Sequence, residues 1–121
     1  MTQHILIVDD EKNIVISIDY LLRREGFEVS VAHDGEEGLN LIKSQHPDLV
    51  LLDVMMPKLN GFQVCELVKQ DPALASVRII MLTAKGRDAE KEKGLALGAD
   101  AYITKPFATR DLVAQVKALL T

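Results

Sequence analysis

The sequence predicts an α/β fold in which five parallel strands alternate with five helices, giving a doubly wound (βα)5 sheet covered on both faces. Three observations carry that prediction. The runs "ILIV" at 5–8, "PDLVLLD" at 47–53 and "VRIIMLT" at 77–83 are apolar without alternation and rich in branched residues, so these strands have no face left for water. Segments with apolar residues at helical spacing separate the strands. Gly26, Asp34, Pro47 and Gly98 punctuate the joints.

Taken in order, Ile5 to Val8 form the first strand, with Asp9 and Asp10 directly behind it. Over residues 13–25, Ile14, Ile18, Leu21 and Leu22 give a helix one apolar face, and Gly26 stops it. "FEVSVA" at 27–32 alternates, which predicts a strand less buried than the first. Asp34 starts a helix through about Gln45, with Glu37 in the capping-box relation and Leu39 and Ile42 inward. The strand ending on Asp53 leads into the turn "MMPKLNG", and residues 62–70 form a helix with Leu67 and Val68 inward. The next strand ends on Thr83. A helix from about Arg87 to Leu97, closed by Gly98, leads to the short strand "AYIT", which ends against Lys105. The last helix runs from about Thr109 to Leu120, with Leu112, Val116 and Leu119 on one stripe.

A chain of 121 residues with 48% hydrophobic content suits one domain. No stretch is long and apolar enough to cross a membrane, and "MTQHILIVDD" has no secretion-signal pattern, so a cytoplasmic location with no membrane contact is expected. Cys65 is the single cysteine, which excludes an intrachain disulfide and predicts a packed thiol. Fourteen basic against 18 acidic residues, a formal net charge of −4, make a poor phosphate-backbone binder; direct nucleic-acid binding by this domain is not expected. The three histidines show no zinc-site spacing.

Right-handed crossovers bring the ends of parallel strands, and the loops after them, to one edge of the sheet. Asp9 and Asp10, Asp53, Thr83 and Lys105 all belong to that edge. Taken singly, Asp10 or a neighbour could cap the following helix, Thr83 could cap a strand end and Lys105 could be a solvated tip. Taken together, three carboxylates in one pocket oppose one another's ionisation unless a cation neutralises them. A hard, oxygen-rich site suits Mg²⁺. With Lys105 it would receive a phosphoryl group, for which Asp53 is the candidate nucleophile and the Thr83 hydroxyl a hydrogen-bond donor.

"VDDE", "LLDVMMPKLNG", "MLTAKG" and "GADAYITKPF" occur in an order and spacing that resemble the receiver domain of two-component response regulators, over essentially all of 1–121. The resemblance implies a flavodoxin-like sheet and a single receiver domain, either a complete single-domain regulator or the N-terminal part of a longer one. It implies phosphorylation of Asp53 by a sensor histidine kinase or phosphotransfer protein. The domain would catalyse its own phosphorylation and slow dephosphorylation, with no separate small-molecule turnover. Mg²⁺ would be held by Asp10, Asp53 and the carbonyl of Met55, with Asp9 helping through water or Lys105. The Lys105–Pro106 bond would be cis. Thr83 and Tyr102 would form the switch, with small Ala84 leaving the path open, and the face of the fourth helix, fifth strand and fifth helix would signal to an attached or separate output domain. Met55 and Lys85 would partly cover the path of hydrolytic water. Relatives that dimerise through that face pair an acid and a base where this chain has Ala101 and Gln115. Lys91 and Asp111 remain for another pair, so a monomer or weak dimer is expected.

Two other readings start from the same residues. A Mg²⁺-dependent phosphohydrolase with an aspartyl-phosphate intermediate needs a D-x-D pattern and a cap insertion, whereas these acids are adjacent. A non-phosphorylated flavodoxin-like binding module for a flavin phosphate wants a Ser/Thr/Gly-rich loop after the first strand, where "DDEKN" would repel it. G-x-G-x-x-G and P-loop motifs are absent.

Overall fold

The computed structural model describes residues 2–84 and 88–120. Its elements are β1 (His4–Val8), α1 (Lys12–Arg24), β2 (Glu28–Ala32), α2 (Gly35–Gln45), β3 (Leu49–Asp53), α3 (Gly61–Gln70), a short 3₁₀ turn (Pro72–Leu74), β4 (Arg78–Ala84), α4 (Asp88–Ala96), β5 (Ala101–Lys105) and α5 (Thr109–Leu120). The strands form one parallel sheet in the order β2-β1-β3-β4-β5. The (βα)5 prediction therefore holds, and no helix among the described residues is long and apolar enough to cross a membrane.

Successive strand side chains point to opposite faces, so each apolar strand feeds two cores. Leu6, Val8, Val50, Leu52, Ile79 and Met81 pack with Leu39 and Ile42 of α2 and Val64, Cys65 and Val68 of α3. Ile5, Ile7, Leu49, Leu51, Ile80, Leu82 and Ile103 pack with Val15, Ile18 and Leu22 of α1 and Leu112 and Val116 of α5. Helices on both sides explain why β1 and β3 carry no polar alternation, while β2, at the sheet edge, does.

The helix ends depart from the sequence reading in detail. Leu67 is 45% exposed, not inward; the buried stripe of α3 is Val64, Cys65 and Val68, and Leu67 falls a helical step outside it. That helix starts on a full capping box, Asn60 with Gln63. At α2 the Asp34 side chain accepts from the Glu37 N–H, but the Glu37 carboxylate accepts from the His33 N–H, one residue before the cap, so the box is not closed. Asp10 is not a cap: the N-cap of α1 is Glu11, whose side chain makes no capping bond. Arg87, expected to begin the fourth helix, lies outside the described residues. A Cβ at Gly61 would overlap the Asp53 carbonyl oxygen, so glycine lets the loop after β3 fold back against the strand end.

Candidate functional site at the C-terminal edge of the sheet

Register brings the acidic edge together. Val8 pairs with Ala32 and Leu52, Asp53 with Leu82, Thr83 with Thr104 and Ala84 with Lys105, so the ends of five strands, distant in sequence, come level with one another. Asp9 continues β1 by donating its N–H to the Ala32 carbonyl. Asp9, Asp53 and Thr83 are buried, and Asp10 is exposed at the rim. One carboxylate oxygen from each of Asp9, Asp10 and Asp53 lies within 4.8 Å of the others.

Among the described residues, Lys105 is the cation of this pocket. Its Nζ donates to Asp9 Oδ2 at 2.9 Å and to Glu11 Oε1 at 2.9 Å, and stands 3.5 Å from Asp53 Oδ1. The second oxygen of Asp9 accepts the Glu11 N–H at 2.9 Å, and Asp53 Oδ1 accepts the Met55 N–H at 3.3 Å. The Lys105–Pro106 bond is cis, as the resemblance implies.

Burial, and then the charge of Asp9, push the Asp53 carboxyl up to about 7; Lys105 and the Met55 N–H pull it back only in part. Burial disfavours charge on Lys105, yet its hydrogen bonds to Asp9 and Glu11 outweigh that and raise its pKa. Among the described residues, the pocket thus holds more negative charge than its lysine balances. A small divalent cation with hard oxygen ligands fits this donor set. A second feature points the same way: the Thr83 hydroxyl oxygen is buried and has no hydrogen-bond partner among the described residues. A buried donor left open at the end of β4, beside the Asp53 strand, suits an acceptor oxygen brought in by a ligand.

Of the residues singled out from sequence, Asp9, Asp10, Asp53, Thr83 and Lys105 share this edge. Met55 joins through its N–H, while its side chain is 62% exposed. Tyr102 does not line the pocket; it is 38% exposed on β5, with the Lys91 ammonium 4.9 Å from its ring centre. Lys85 lies outside the described residues. The sequence reading assigned nothing to Glu11, the last residue of "VDDE", although it shares Lys105 with Asp9. Cys65 is packed in the core, where burial raises its thiol to about 11.

Residues 5–117 match the family model of the response regulator receiver domain. The chain is 48% identical over 120 residues to the alkaline phosphatase synthesis transcriptional regulatory protein PhoP of Bacillus subtilis (strain 168), covering 99% of this chain and 49% of that protein. It therefore spans about half the length of that relative. A putative response regulator from Chloroflexus aurantiacus J-10-fl superposes with a TM-score of 0.95 at 38% identity, over 99% of this chain and 98% of that one. The signal receiver domain of a signal transduction histidine kinase from Syntrophus aciditrophicus superposes with a TM-score of 0.91 at 31% identity, over 98% and 90% of the two chains.

Proposed function

The chain belongs to the response regulator receiver domain family, with the clustered acidic acceptor site typical of phosphorylation-dependent signalling switches, and from that premise we propose that Asp53 accepts the phosphoryl group. An Asp53 oxygen attacks phosphorus as the bond to the donor, a phosphohistidine nitrogen, breaks, leaving an acyl phosphate on Asp53. Asp53 reacts as the carboxylate, and the Lys105 ammonium offsets charge on the transferred oxygens. The Thr83 hydroxyl donates to one of them. Asp10, Asp53 and the Met55 carbonyl are the groups that would hold Mg²⁺, with Asp9 supporting, and the ion when bound supplies neutralisation of phosphoryl charge. The observation that carries this reading is the meeting of Asp53, Lys105 and a buried Thr83 hydroxyl, without a partner among the described residues, at one sheet edge.

The donor proposed is a sensor histidine kinase or phosphotransfer protein, a partner class supported in general terms by the likeness to a histidine-kinase receiver. Output is proposed to leave through α4, β5 and α5, with Tyr102 turning inward as Thr83 moves toward the phosphoryl group, an equilibrium that phosphorylation biases. The half-length match to a transcriptional regulatory protein supports an attached output domain, and a cytoplasmic location is a further part of the same proposal. Incubation with phosphoramidate and Mg²⁺, followed by intact-mass measurement, should add one phosphate to the wild type and none to Asp53→Asn; equal labelling of the variant would remove Asp53 from its role.

A further inference from the structure

Glu11 stands at the pocket without a part in the reading above. It is the N-cap of α1, yet its side chain makes no capping hydrogen bond. Its carboxylate instead takes a hydrogen bond from Lys105 at 2.9 Å. An ammonium has three N–H donors. One goes to Asp9 at 2.9 Å and one to Glu11, while Asp53, at 3.5 Å, has the longest of the three contacts. The two tighter partners differ in what release would cost. The Asp9 side chain is fully buried and would be left unpaired out of water, whereas the Glu11 side chain is 56% exposed and would be taken up by solvent. The Glu11 N–H is fixed to Asp9, which keeps the side chain within reach of Lys105.

We propose that Glu11 is a positioning residue for phosphoryl transfer: it holds one N–H of Lys105 while Asp53 is unmodified, and yields it to a phosphoryl oxygen once Asp53 carries one. The inference rests on the reading of Asp53 as acceptor and Lys105 as its phosphoryl ligand. The exchange is one hydrogen bond for another, with no proton or electron transferred. Glu11 and the phosphoryl group thus compete for the same donor, and removing the Glu11 charge favours the phosphorylated state. Simple repulsion between Glu11 and a phosphoryl anion has the same sign, so the test must separate the two.

Beryllofluoride on a carboxylate stands in for the phosphoryl group, and its binding in the presence of Mg²⁺ is followed by NMR in the wild type, Glu11→Gln, Lys105→Met and the double variant. The expected result is a half-saturating concentration about two- to fivefold lower for Glu11→Gln than for the wild type, with no such gain in the Lys105→Met background. In the free protein the ¹⁵N resonance of the Lys105 ammonium should move on Glu11→Gln and return toward the wild-type position in Glu11→Asp. An equal gain without Lys105 would assign the effect to repulsion and overturn the proposal. So would an unmoved Lys105 resonance, which decides the matter alone where Lys105→Met binds too weakly to titrate. Unchanged affinity in Glu11→Gln, with the wild type binding normally, overturns the role of Glu11 and leaves Asp53 as acceptor intact. Failure of the wild type to take beryllofluoride overturns both.

Discussion

The two ends of the sheet handle buried charge in opposite ways. At the N-terminal end, Asp100 accepts from the Ile79 N–H at 2.8 Å, from Lys69 at 3.2 Å and from Arg78 at 3.4 Å, and Lys69 also donates to the Val77 carbonyl at 2.8 Å. One acid there has two cations and a backbone donor. At the C-terminal end, Asp9, Asp53 and Glu11 share one lysine, and Thr83 has no partner among the described residues. The first arrangement ties α3, β4 and the start of β5 together. The second leaves charge and a donor unspent at the place where the strand ends converge, and that surplus is what a cation and a phosphoryl group can use.

The largest effect on the balanced end should come from Asp100→Ala, which strands the half-buried Lys69 ammonium and the Ile79 N–H. A loss of about 2–4 kcal/mol in urea unfolding is expected, with phosphorylation retained; a loss below about 1 kcal/mol would show the cluster to be decorative. A smaller effect should appear in the core between the two ends. Burial raises the Cys65 thiol from 9.0 to about 11, so between those values the folded chain keeps a proton that the unfolded chain gives up. Stability should therefore fall as pH rises through that window, by roughly 2 kcal/mol, and the fall should be absent in Cys65→Ala. A pH slope shared by both proteins would mean that another group is responsible. The smallest effect is expected on the α4–β5–α5 face. Lys91 already pairs with Asp88 at 3.5 Å and lies over the Tyr102 ring, and Ala101 and Gln115 offer no charges. Sedimentation at tens of micromolar with beryllofluoride should give a monomer or weak dimer. A tight dimer broken by Lys91→Ala or Asp111→Ala would show that one ion pair sets the association.

The same contrast governs what the sequence could reveal. Asp9, Asp10, Asp53, Thr83 and Lys105 were legible because each lies within two residues of the C-terminal end of a strand, and a parallel sheet collects such positions whatever their separation. The strands themselves were legible because β1 and β3 are covered on both faces and so read as unbroken apolar runs. Leu67 was misread because it stands next to Val68, and adjacent apolar residues on a helix do not reveal which one faces the sheet until the whole stripe is placed. The Asn60–Gln63 box was readable as N-x-x-Q but hidden in a turn full of other signals. Glu11 and the Asp100 cluster depend on side chains meeting across the fold, and nothing in their local spacing announces a partner.

Thermal unfolding of the wild type and Asp53→Asn, each at pH 7.5 in EDTA and in saturating Mg²⁺, bears most directly on the unbalanced edge. The Asp53 carboxyl is raised from 3.8 to about 7, so the folded state holds a proton more tightly than the unfolded state, and stability contributed by this group is lost as pH rises through that interval. In EDTA, Asp53→Asn should therefore be the more stable protein, by about 1–3 kcal/mol. Mg²⁺ at a hundred times its Kd should stabilise the wild type by about 2.7 kcal/mol and the variant by much less. A variant less stable than the wild type without metal, or an equal response of both proteins to Mg²⁺, would contradict the assignment of the acidic edge as a charged site held ready for a cation.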